Sequence, residues 1–200
     1  MLKIGLTGGI ATGKSYVLER LRQRGVPCLD ADDISHGVTA AGTEATSAIA
    51  ARFGEAVLAA DGSVNRQALG PIVFADATAR RDLEAILHPA IYRAIRAGLR
   101  GFELLGHYPF AVVAVPLLFE TGHQKDYDRV VVTTCPPELQ MQRLRERGLN
   151  QDAAKQRIDA QWPTADKTLR ADFVIHTDAS FEETDRQVEE VVAALKQSVG

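Results

Sequence analysis

Short apolar runs alternate with amphipathic stretches along most of this chain. Leu2–Thr7, Val26–Asp30, Phe110–Leu118, Arg129–Thr134 and Asp172–His176 are largely continuous apolar runs rather than polar/apolar alternations. Strands buried on both faces of a parallel sheet have this pattern. Helical periodicities lie between them. Val17, Leu18 and Leu21 line one face of a stretch from Lys14 to Arg24 that stops at Gly25. Near the end, Ser180 and Glu183 have the spacing of a capping box, followed by Val188, Val191, Val192 and Leu195 at helical intervals. The alternation predicts an α/β fold: three layers, α/β/α, around a five-stranded parallel sheet.

The alternation breaks between residues 33 and 107. Ala45, Ile49 and Phe53 recur every four residues, and Leu83, Ile86 and Leu87 form another helical stripe. Pro89 is expected to start a further helix with Ile91, Ile95 and Leu99 inward. This segment reads as a helical insert, and the polar stretch 140–170 as a small helical lid. The expected organisation is one domain: a core of 1–32, 108–139 and 171–200, the insert 33–107 and the lid 140–170.

Composition narrows the class. The 200 residues are 46% hydrophobic and 24% charged, ordinary for a soluble globular domain. The net charge of −3 argues against a protein that coats nucleic acid through bulk positive charge. Phe110–Phe119, the longest apolar run, is about half a membrane span, and the first residues enter a strand pattern without a secretory signal. A cytoplasmic protein with no nucleic-acid or membrane partner is expected. The two cysteines, Cys28 and Cys135, are too few for a disulfide scaffold and read as small buried hydrophobes.

The charge is unevenly placed. Residues 140–170 hold seven bases and four acids, whereas residues 171–200 hold two bases and seven acids. Arg143 and Arg147 are four apart and expected on one helix face, as are Arg157 and Gln161. A basic lid closing over transferring phosphate would stabilise charge and exclude water; a solvated charged face accounts for the same pattern.

Gly8-Gly9-Ile10-Ala11-Thr12-Gly13-Lys14-Ser15 fits G-x-x-x-x-G-K-[ST]. The glycines let the backbone wrap a polyphosphate so that N–H groups point inward. Lys14 can reach the β- and γ-phosphates, Ser15 offers its hydroxyl to Mg²⁺, and the following helix aims its N-terminus at the anion. Chance gives such a match about once in a hundred chains of this length, and the strand before and helix after it supply the required context.

Leu29-Asp30-Ala31-Asp32-Asp33 ends the second strand run, where ligands of an open parallel sheet bind. A carboxylate there can orient or deprotonate an attacking hydroxyl; helix capping by the same aspartates is the alternative. Val115-Pro116-Leu117-Leu118-Phe119-Glu120 loosely resembles a strand ending in the acid that supports a Mg²⁺ shell, although Glu120 could simply initiate a helix. His88, before Pro89, reads first as a packed or capping residue, and Tyr92 and Trp162 as core or hinge aromatics.

Gly8–Ser15, Asp30-Ala31-Asp32, Leu87-His88-Pro89, Val115–Glu120, Cys135-Pro136, Arg157 with Gln161, and Ala171-Asp172-Phe173-Val174-Ile175 together resemble the dephospho-CoA kinases, in that family's order and over nearly the whole chain. The resemblance implies a P-loop kinase that moves the γ-phosphate of ATP, with Mg²⁺, to the ribose 3′-hydroxyl of dephospho-CoA. It implies Asp32 as general base, with Lys14 and Arg147 also catalytic. Gly8, Gly9, Ile10, Ala11, Thr12, Gly13, Lys14, Ser15, Tyr16, Arg143 and Arg147 would bind ATP, and Ser15 the metal. Asp32, His88, Leu117, Glu120, Arg157 and Gln161 would bind the substrate, with the insert helping to hold the CoA moiety. Ala11 and Tyr16 stand where many members have Gly and Thr, and His176-Thr177-Asp178 replaces a usual Asp-Asn-Asp. Another P-loop kinase acting on a nucleotide or small metabolite is the alternative. A GTPase would bring an Asn-Lys-x-Asp motif, which the sequence lacks, and an intact Lys14-Ser15 with Asp32 disfavours a non-catalytic nucleotide-binding module. Oligomeric state stays open, and a monomer is compatible with the sequence.

Overall fold

The computed structural model describes residues 1–198. Strand β1 (Leu2–Gly8) is followed by helix α1 (Lys14–Gln23), β2 (Cys28–Asp30), α2 (Ala31–Val38), α3 (Glu44–Phe53), α4 (Arg66–Ala75) and α5 (Ala77–Leu105). Then come β3 (Phe110–Ala114), β4 (Arg129–Thr134), α6 (Pro137–Glu146), α7 (Gln151–Asp159), α8 (Thr164–Thr168), β5 (Phe173–His176) and α9 (Phe181–Gln197). The five strands form one parallel sheet in the order β2-β3-β1-β4-β5. The α/β fold with a five-stranded parallel sheet is as expected from the apolar runs. The chain divides into two compact units: Met1–Asp30 with the chain from Gly101 onward, and Ala31–Arg100.

In the first unit, alternate residues of the strands (Ile4, Leu6, Val112, Ala114, Val131, Ile175) pack against Val17, Leu18 and Leu21 of α1 and Val188, Val192 and Leu195 of α9. The opposite face is closed so tightly at Gly5 that a Cβ there would lie 2.9 Å from Leu118 and 3.2 Å from Tyr127. Ser180 caps α9, its Oγ accepting the Glu183 N–H at 3.2 Å, while the Glu183 carboxylate accepts from Arg186. Cys135 is buried as expected, whereas Cys28 is only half-buried. Burial pushes the Cys28 thiol up to about 12 and also raises that of Cys135, so neither is a thiolate at neutral pH.

The second unit is helical, with a core of Ile49, Val57, Val64 and Leu69 supported by Phe53, Leu83, Ile86 and Leu87. Its regular pairing is limited, among the described residues, to an isolated antiparallel bridge between Leu58 and Val64. Thr43 and Asn65 cap α3 and α4 by accepting N–H bonds from Thr46, and from Gln67 and Ala68.

Four expectations need correction. Pro89 does not start a helix but lies inside α5. A proline there removes one intrahelical donor, costing about 3 kcal/mol; the apolar periodicity on both sides, Leu83–Leu87 and Ile95–Leu99, outweighs it. The third strand ends at Ala114, not Leu118, because Pro116 cannot donate to a ladder; its carbonyl instead accepts the Thr7 hydroxyl at 3.1 Å. The second strand starts at Cys28 rather than Val26 and ends at Asp30 as expected; Asp32 and Asp33 follow it in the first turn of α2. Finally, α6 ends at Glu146 and α7 at Asp159, so Arg147 and Gln161 lie just past the helices they were expected to share with Arg143 and Arg157.

Candidate active site

The loop between β1 and α1 is the most constrained backbone of the first unit. At Gly8 a Cβ would collide with the Thr133 hydroxyl and lie 2.8 Å from the Thr133 carbonyl oxygen; at Gly9 it would strike Thr164 Oγ1 and come within 2.7 Å of Gln140 Nε2. Gly13 has φ 83°, and Ala11, at φ 60°, is the non-glycine residue held in the left-handed region among those described. That conformation costs an alanine about 1 kcal/mol, so the surroundings must over-determine it.

They do so through the loop's carbonyl oxygens. Gly8 O accepts from Lys167 Nζ (3.4 Å), Ile10 O from Gln140 Nε2 (2.7 Å), Ala11 O from Arg143 Nη1 (3.1 Å) and Thr12 O from Thr177 Oγ1 (3.0 Å). Thr12 folds back on Gly9 O with its own N–H and its hydroxyl, at 3.2 and 2.7 Å. In a trans peptide the C=O and the next N–H point in opposite directions. Holding the carbonyls of Gly8, Ile10 and Thr12 from outside therefore turns the N–H groups of Gly9, Ala11 and Gly13 to the other side. A chain folded this way presents an anion-binding nest at the N-terminus of α1.

Lys14, first residue of α1, sits at that end with its ammonium 3.8 Å from Asp30 Oδ2, both side chains largely buried. Ser15 is exposed beside it. Arg143 is committed to the loop and to Thr177, whose carbonyl and hydroxyl oxygens it also reaches. Arg147 lines a cavity of about 430 Å³ with Ala11, Gly13, Tyr16, Arg143 and Phe181. Tyr16 gives its hydroxyl proton to Asp185 (2.9 Å), receives a bond from Arg20 (2.9 Å), and sets its ring 4.9 Å from that of Phe181. Its hydroxyl thus serves the α1–α9 contact while its ring borders the cavity.

The other expected residues fall into two groups. Gln161 reaches the loop, its Oε1 accepting the Ile10 N–H at 2.7 Å. Glu120 Oε1 receives the Lys167 ammonium (2.7 Å) and the Trp162 N–H (3.0 Å), so the acid expected to support a metal shell has partners within the chain. Leu117 is exposed on the turn after β3, and Arg157 on α7. Trp162 is 40% exposed rather than core, stacked on Phe119 with Arg170 over its ring. Asp32 and His88 belong to the second unit: Asp32 is exposed in the first turn of α2, and His88 meets Tyr92 edge-on at 6.5 Å on α5. Gln140, Lys167 and Thr177 were not legible as loop residues: the sequence signal of Gln140 and Lys167 was membership of the polar segment after β4, and that of Thr177 its place in His176-Thr177-Asp178 after β5.

Replacing Gly8 by alanine is expected to unfold or strongly destabilise the first unit, since the obstruction includes backbone. Thermal unfolding would check this, and a variant as stable as the unsubstituted chain would contradict the close packing described.

Comparison with known proteins matches this architecture. The family profile described as dephospho-CoA kinase covers residues 2–183. The dephospho-CoA kinase of Anaeromyxobacter dehalogenans is 44% identical over 197 residues, 98% of this chain and 93% of that protein. A crystal structure from Thermus thermophilus superposes with a TM-score of 0.83 at 32% identity, covering 97% of each chain. The dephospho-CoA kinase from Campylobacter jejuni does so at 0.75 and 28%, covering 98% of each. Among the described residues no helix is long and apolar enough to cross a membrane.

Proposed function

From the premise that this chain belongs to the dephospho-CoA kinase family, we propose how its residues carry ATP-dependent phosphorylation of the ribose 3′-hydroxyl of dephospho-CoA to CoA. The observation that supports the assignment most is the loop itself, with its carbonyls held outward and Lys14 at its mouth. The N–H groups of the loop and the N-terminus of α1 bind the ATP phosphates. Lys14 leaves Asp30 for the β- and γ-phosphate oxygens. Arg147 neutralises charge from the cavity it shares with Tyr16, and Arg143 acts by shaping the loop. The nucleoside occupies that same cavity.

The donor set suits Mg²⁺. Ser15 and Asp30 are hard oxygen donors beside Lys14, and no cluster of three or more His, Cys, Asp or Glu among the described residues could form a dedicated metal cage. Mg²⁺ is a cation of this kind, held by one or two protein oxygens and by substrate phosphates. Ser15 would hold it, with Asp30 beside it. When bound it neutralises charge on the transferring phosphoryl group.

Asp32 orients the ribose 3′-hydroxyl and accepts its proton as the new O–P bond forms and the bond from the γ-phosphorus to the β,γ-bridging oxygen breaks, releasing ADP. His88, Leu117 and Arg157 are assigned to the acceptor. Glu120, through Lys167, and Gln161 directly reach the phosphate loop, so they are assigned to positioning ATP rather than to contacting the acceptor.

ADP release in the presence of dephospho-CoA, set against a panel of nucleoside monophosphates, tests the assignment. Turnover with dephospho-CoA alone is expected. Turnover only with nucleoside monophosphates would point to another P-loop kinase.

A further inference from the structure

Lys167 is fully buried, which is rare for a lysine unless it is paired. Its ammonium joins three segments distant in sequence: Gly8 at the end of β1, Glu120 after β3, and its own helix α8. The same segment touches the loop twice more. Gln161 accepts the Ile10 N–H, and Thr164 stands where a side chain at Gly9 would be. Residues 161–167 thus grip Gly8–Ile10, the half of the loop that Arg143 and Thr177 do not reach. Glu120 Oε2 is buried without a hydrogen-bond partner, so the pair is incompletely satisfied.

Stability alone does not explain such a pair. Replacing a buried ion pair by neutral side chains of similar shape is often neutral or stabilising, whereas removing one partner is strongly destabilising. The contact specific to this pair is the one that Lys167 makes with Gly8 O. That peptide, being trans, aims its N–H at Gly9 to the opposite side. A shift in it would displace the first donor of the nest, and small misplacements at a reacting centre are costly.

We propose that Lys167, neutralised by Glu120, is a positioning residue for phosphoryl transfer: it fixes the Gly8–Gly9 peptide and docks residues 161–168 on the phosphate loop. This rests on the loop being the ATP phosphate cradle. The test is the double variant Lys167→Met with Glu120→Gln, which removes both charges and keeps both shapes, beside Lys167→Met alone. The single variant strands Glu120 and is expected to melt at a lower temperature. The double variant is expected to recover the melting temperature while kcat/KM for ATP stays roughly ten- to a hundredfold down. KM for ATP should rise and KM for dephospho-CoA should change little. A double variant with unimpaired kcat and KM for ATP would overturn the proposal, as would one in which melting temperature and activity fall together, because either makes the pair purely structural. Each variant is compared with the unsubstituted chain, so inactivity of that chain would mark failure of the proposed function rather than of this inference.

Discussion

Lys14→Met is expected to lower kcat/KM by about a thousandfold, some 4 kcal/mol of transition-state stabilisation. Methionine keeps much of the length and apolar stem of lysine, so the fold should survive; the loss is electrostatic. In the nucleotide-free chain the ammonium lies 3.8 Å from Asp30 in a largely buried setting. Removing it subtracts the cation that meets the γ-phosphate and leaves the Asp30 carboxylate facing a polyanion. Part of the loss should therefore appear as weaker ATP binding and the larger part in the chemical step. Single-turnover kinetics at saturating ATP separate the two. A variant that binds ATP poorly but transfers at the normal rate would mean that Lys14 only anchors the nucleotide.

Asp32→Asn should lose the chemical step alone. Turnover is expected to fall by about a hundred- to ten-thousandfold, the range for loss of a general base, with ATP affinity nearly intact. Asparagine retains the size and can still orient a hydroxyl, but it cannot take the proton. Asp32 lies in the exposed first turn of α2, two positions past Asp30, and a helix that begins there is equally served by a capping acid. The two roles separate cleanly: a stability role would lower the melting temperature and spare kcat, whereas a base role would lower kcat and spare the melting temperature. Unchanged turnover would reject the assignment.

The sheet was legible because strands buried on both faces leave continuous apolar runs, as in Leu2–Thr7 and Arg129–Thr134. The loop was legible because only glycine tolerates the contacts at Gly8 and Gly9, which makes its spacing diagnostic. Where two local signals competed, the sequence could mislead or leave the matter open. Pro89 is a good first residue of a helix, yet the apolar stripes on either side carry α5 through it. At Glu120 the sequence left a metal-supporting acid and a helix-initiating acid open and showed neither of the partners its Oε1 has, one of them a lysine 47 positions later. No periodicity could reveal that, because it depends on how α8 docks. For the same reason Gln140, Lys167 and Thr177 were invisible as loop residues: each reaches a loop carbonyl through a long-range bond that no local pattern encodes. The seven bases of residues 140–170 were visible as a set. Their division was not: Arg143 shapes the loop, Lys167 is buried and Arg147 lines the cavity. A chain of net charge −3 binds anions because these charges are placed, not because they are abundant.

The most direct measurement is a ³¹P NMR time course of the unsubstituted chain with ATP, Mg²⁺ and dephospho-CoA. A phosphomonoester resonance coupled to the ribose 3′ proton should grow in step with ADP. ADP accompanied only by inorganic phosphate, or a phosphoryl group arriving at any other position of the acceptor, would contradict transfer to the 3′-hydroxyl.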